Sequence, residues 1–98
     1  MSGRFEELVA RLASSESGVR RIAVHDLIGL SDARVPTILV EHVGRETDER
    51  AAVLIIRHLA RAGAREAGPV LLGLYADRGT PVRIAHAAIL AHDALAAE

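Results

Sequence analysis

The chain has no cysteine, no tryptophan and no lysine. Without cysteine there are no disulfides and no thiol chemistry, and the redox compartment is left unmarked. Aromatic residues are nearly absent: Phe5 and Tyr75 are the only two. Any core must therefore be aliphatic, and the apolar half of the composition supplies Ala, Leu, Ile and Val for it. All 12 basic residues are arginine, which reads as the codon bias of a GC-rich bacterial genome. Charge of one sign is not in excess. The formal net charge is −1, without the basic footprint of a nucleic-acid binder. No uncharged apolar run approaches the ~20 residues of a membrane span. The N-terminal stretch Met1 to Glu7 lacks a basic-then-apolar signal pattern. A cytoplasmic protein with no membrane or nucleic-acid partner is expected.

What the chain does contain is helical periodicity, written more than once. Its 98 residues allow one domain, spanning 1–98. Phe5, Leu8, Val9 and Leu12 share one helical face and predict a helix over 4–13. Ser14, Ser15 and Ser17 break it and offer caps. A second helix over 18–30 is expected to bury Val19, Ile22, Ala23, Leu27 and Leu30. Ser31–Arg34 is a turn, and a third helix over 35–45 is expected to bury Ile38, Leu39, His42 and Val43. Thr47 is expected to cap a fourth helix over 48–62, with Asp48 and Glu49 in its first turn. That segment, from Ala51 to Ile56, is apolar on every side, as a central helix is. Gly63 ends it. Pro69 opens a fifth helix over 69–77, and Thr80–Pro81 opens a sixth over 81–96. The short connections imply antiparallel neighbours.

Leu27, Leu59 and Leu90 recur about every 32 residues, and Pro36 and Pro69 recur similarly. A period in this range is the signature of a solenoid, whose units bury their apolar faces by stacking. The residues Val19, Arg20, Ala23, Leu27, Asp32, Val35 and Pro36 resemble the short bacterial HEAT-like repeat found in phycobilisome lyases. Val82, Arg83 and Leu90 match in a third copy, with His86 where a small inward residue belongs. The second copy keeps Leu59, Gly63 and Pro69, while Ala51–Ala52 replace Val–Arg. This resemblance implies an all-α superhelix of HEAT/armadillo-like type with about six antiparallel helices. It also implies a non-catalytic scaffold and no cofactor. In similar repeats the Arg reaches a turn Asp, which assigns Arg20 to Asp32.

Candidate chemistry is sparse. The five histidines include no pair at metal-ligand spacing on a helix, and no metal site is expected. The adjacent pairs His25–Asp26 and His92–Asp93 do not face each other on a helix. Serines sit where capping explains them, and no Gly-rich phosphate loop is present. Arg57, Arg61 and Arg65 follow i, i+4 spacing as a basic strip. Partner binding is expected on the outward faces of the first, third and fifth helices: Glu7, Thr37, Val40, Glu41, Val70, Leu74 and Asp77. Such a strip would suit an apolar and basic peptide. The sixth helix is apolar around most of its circumference, so Ile84, Ala87, Ala88, Ala91 and Leu95 are expected to form a homodimer interface. The rival reading is a small enzyme or ligand-binding accessory protein, with a pocket at His86 or in a concave groove.

Overall fold

Six α-helices and one 3₁₀ turn account for about three quarters of residues 3–97, the part that the computed structural model describes. They are α1 (Arg4–Arg11), α2 (Ser17–Ile28), α3 (Val35–Val43), α4 (Glu49–Arg61), α5 (Gly68–Ala76) and α6 (Val82–Ala96), with the 3₁₀ turn at Arg65–Ala67 before α5. Each helix predicted from periodicity is present within about two residues. The 3₁₀ turn was not anticipated. No strand occurs among the described residues, and none of their helices is long and apolar enough to cross a membrane.

Helix α4 is the centre. Its buried residues Ala51, Ala52, Ile55, Ile56 and Leu59 form a stripe wide enough to meet several neighbours. It packs on α2, α3 and α6, while α1 packs on α2 and α5 on α6. Asp48, not Thr47, caps it: the Asp48 carboxylate accepts from the Ala51 amide at 2.9 Å. Thr47 Oγ1 instead accepts from Arg20. At the other end Gly63 turns left-handed, with φ 67°. The Gly63 amide then donates to the Ala60 carbonyl and the Ala64 amide to the Leu59 carbonyl, closing the last turn in a Schellman arrangement.

The buried residues form one cluster. The radius of gyration is 12.8 Å, close to the ~12.6 Å of a compact chain this long. Within the cluster, burial recurs at intervals of 32 residues: Val24, Ile56 and Ala88, then Leu27, Leu59 and Ala91, and in the other helices Val35 with Ala67 and Leu39 with Leu71. Leu27 and Leu59 are fully buried as expected, but Leu90 is 58% exposed. The interval from Leu59 to Leu90 is one residue short, and on a helix that step moves a side chain about 100° round the axis. Ala91 takes the inward place.

Helix α2 is also rotated from its expected face. Ile22 is 61% exposed, and Val24 is buried instead. The cause is Arg20. Its guanidinium donates to both carboxylate oxygens of Glu46, at 3.2 Å from Nε and 3.1 Å from Nη2, and to the Ser14 carbonyl at 2.9 Å. Ala23, Val24 and Leu27 follow Arg20 at i+3, i+4 and i+7 and share its face, which puts Ile22 on the far side. Arg20 therefore reaches the acid of the α3–α4 turn and not Asp32. Asp32 is held by Arg34, at 3.0 Å from Nε and 2.7 Å from Nη2. Helix α2 has no side-chain cap: Glu16 occupies the cap position, and Ser14 Oγ accepts from its amide. Pro81 is likewise the cap residue of α6, outside the helix, without a side-chain cap bond.

Candidate functional site

A groove of about 770 Å³ runs between α4 and α6, with one wall reaching α2. Its rim carries five arginines: Arg21, Arg50, Arg57, Arg61 and Arg83. Its floor is apolar, made by Val53, Leu54, Ala87, Leu90, Ala91 and Ala94. The local sequence explains both. On α4, Arg50, Arg57 and Arg61 stand at i, i+7 and i+11, one stripe of the helix, while Ala52, Ile55, Ile56 and Leu59 turn inward. On α6, Arg83, His86, Leu90 and Ala94 form an i, i+3, i+7, i+11 stripe opposite the buried Ile84, Ala88, Ala91 and Leu95. Leu90 is thus exposed in the groove.

The charges on this rim are largely uncompensated. Arg21 is bound by Asp48 at 3.3 Å. Among the described residues no carboxylate pairs with Arg50, Arg57, Arg61 or Arg83, whereas Arg4, Arg20 and Arg34 are held by Asp26, Glu46, and Asp32 with Glu6 respectively. Glu49 is the one carboxylate lining the groove. His86 is exposed on its wall, so the inward position expected for it is filled by Ala88. His58 lies nearby, half-buried. Burial, then the Arg61 charge, holds its pKa below the usual 6.5, which favours the neutral form.

The expected partner strip is only partly a surface. Glu7, Thr37, Glu41 and Asp77 are exposed. Val40, Val70 and Leu74 are partly buried and packed against the core. Val70 lies so close to α3 that a Cβ at Gly44 would stand 3.2 Å from its Cγ2. The apolar excess of that strip is thus largely spent inside the chain, and Asp77 is engaged by the Gly79 amide at 2.8 Å.

The expected homodimer interface does not survive as a surface. Ile84 (3% exposed), Ala88 (0%), Ala91 (5%) and Leu95 (4%) point into the chain's own core, and Ala87 is half-buried. The reason is packing: α6 meets both α4 and α5, and these four residues are the stripe that does so. What the helix leaves outward is Val82, Arg83, His86, Leu90, Asp93, Ala94 and Ala96.

The histidines are dispersed. His42 is buried against Glu46, with Nε2 at 2.8 Å from Oε1. His25 and His92 do contact their neighbouring aspartates, at 3.4 Å and 3.2 Å, against the expectation that adjacent residues diverge. Among the described residues no group of three His, Asp or Glu side chains could hold a metal ion. Sequence reasoning found Arg57 and Arg61 but joined them to Arg65, which lies beyond α4 in the 3₁₀ turn. Arg50, Arg83 and Leu90 were missed as a unit, because only the α4–α6 contact brings them together. No family model, curated protein or solved structure matches this chain.

Proposed function

We propose that the protein is a non-catalytic protein–protein interaction or scaffold module that docks its partner in the groove between α4 and α6. The observation that carries this reading is an apolar floor that includes the exposed Leu90, inside a rim of five arginines, four of which no carboxylate of the described residues neutralises. Exposed apolar surface framed by polar residues is the usual mark of an interface. The contacts of α2 with α4 and of α4 with α6, and burial that recurs every 32 residues, support an α-solenoid of the HEAT-like kind. Such a stack displays surfaces and holds no fixed reaction centre.

The groove is better suited to a partner than the strip on α1, α3 and α5, whose Val40, Val70 and Leu74 already pack on the core. The rival reading, a ligand pocket or acid–base site at His86, has less support. Among the described residues His86 has no carboxylate or hydroxyl within hydrogen-bonding distance to orient or activate it.

Affinity purification from the native host tests the reading. The wild-type protein is expected to retain a partner that Leu90→Asp releases, with Glu41→Arg behaving as wild type. A partner retained by Leu90→Asp and lost by Glu41→Arg would move the site to the strip on α1, α3 and α5.

A further inference from the structure

We propose that the occupant of the groove is an acidic amphipathic helix, contributed by another protein, that lays its apolar face on Leu90 and its carboxylates on Arg50, Arg57, Arg61 and Arg83. This inference rests on the interaction-module reading and adds the chemistry of the partner.

Length comes first. Helix α4 has 13 residues, which at 1.5 Å per residue gives a wall about 20 Å long. A partner helix of about thirteen residues fits it end to end. The floor admits a helix closely, because Ala87 and Ala94, one turn before and after Leu90, are small. Small side chains let two helix axes come within about 8–10 Å, and Leu90 then projects between the partner's side chains as a ridge.

Charge selects which helix. Four of the rim arginines have no carboxylate partner among the described residues, and one acid, Glu49, lines the groove at the start of α4. The net charge of the whole chain is −1, so this cationic rim reflects local segregation and not a basic protein. Glu7, Glu41 and Asp77 lie outside the groove. A helix with Leu or Ile at i, i+3, i+4 and i+7 and with Asp or Glu flanking that stripe would satisfy both floor and rim.

Nucleic acid fits less well. Single strands are held by aromatic platforms as well as by cations, and neither Phe5 nor Tyr75 lines the groove. A phosphate backbone also leaves Leu90 without an apolar contact.

The test is fluorescence anisotropy with a labelled synthetic peptide of about fourteen residues that carries leucines at helical spacing and glutamates on both flanks. Comparison probes are a scrambled peptide of the same composition, a peptide with lysine for glutamate, and a single-stranded DNA oligonucleotide. The ordered acidic peptide is expected to bind at least about tenfold more tightly than any of the three. Arg57→Glu with Arg61→Glu, and separately Leu90→Asp, are each expected to weaken it by about tenfold or more, with unchanged thermal melts. Glu41→Arg should leave binding as in the wild type. Equal affinity for the scrambled peptide, preference for the lysine peptide or the DNA, or no binding at all would overturn the proposal. If the ordered peptide fails while Leu90→Asp still releases a host partner, only the acidic-helix inference falls. If Leu90→Asp releases nothing either, the interaction reading falls with it.

Discussion

Nε2 of His42 stands 2.8 Å from Oε1 of Glu46, and both side chains are buried. An ionised carboxylate only accepts, so Nε2 carries the proton and donates. Glu46 also accepts from the Arg20 guanidinium and from the Asp48 amide at 2.8 Å. Asp48 in turn caps α4 and binds Arg21 at 3.3 Å. One carboxylate therefore ties α2, α3 and the start of α4 together. No buried side-chain polar atom among the described residues lacks a partner.

Glu46→Ala should be among the most damaging single substitutions. It leaves the mostly buried guanidinium of Arg20 with only the Ser14 carbonyl and the Thr47 hydroxyl, and it strands the His42 N–H and the Asp48 amide. Removing one member of a buried pair costs about 3–5 kcal/mol, against a total stability of about 5–15 kcal/mol for a domain. Urea denaturation checks this. A loss under about 1 kcal/mol would mean that water or Thr47 replaces the carboxylate.

The same residue gives stability a pH dependence. Burial alone would raise the Glu46 pKa, but Arg20, the Asp48 amide and His42 outweigh it and hold it below 4.5. A depressed carboxylate stabilises the fold above its unfolded pKa, and that contribution is lost as pH falls through the folded value. Asp32 behaves likewise: Arg34 holds its pKa at about 2. His58 adds a loss that begins higher, because unfolding frees it to take up a proton near pH 6.5 and below. Denaturation midpoints should therefore fall steadily from about pH 6.5 into the acid range, and Glu46→Gln should flatten the lower part of the curve. An unchanged acid slope in Glu46→Gln would show that Glu46 is not ionised in the fold.

Core register separates two leucines that look equivalent in the sequence. Leu59 is 0% exposed, and Leu59→Ala should cost about 2–5 kcal/mol. Leu90 is 58% exposed, and Leu90→Ala should cost under about 1 kcal/mol. Thermal or urea melts of the two variants read this directly. Equal losses would restore Leu90 to the core and close the groove.

How these leucines differ shows where the sequence was legible. Helix α4 could be read because its apolar run is bounded by Asp48 and Gly63, and because few polar residues compete for its inward face. The inward faces of α2 and α6 could not be read as well. Both are rich in Ala, Val and Ile on several sides, so periodicity alone does not choose between Ile22 and Val24, or between Leu90 and Ala91. Tertiary contacts choose: Arg20 reaching Glu46 orients α2, and packing against α4 and α5 orients α6. The apolar circumference of α6 suggested a dimer interface for the same reason, although most of it covers the chain's own core. The groove was hidden more deeply. Arg57 and His86 were each noticed, but nothing in their spacing says that α4 and α6 are neighbours.

The most direct test of the account places a photo-crosslinking amino acid at position 90 in cells of the native host, with the exposed position 37, outside the groove, as the comparison. Position 90 should yield a discrete crosslinked species heavier than the 10.4 kDa chain, containing a second, different protein, and Arg57→Glu with Arg61→Glu should abolish it. Crosslinks from position 37 alone, or none from position 90, would contradict the assignment of the α4–α6 groove as the docking surface.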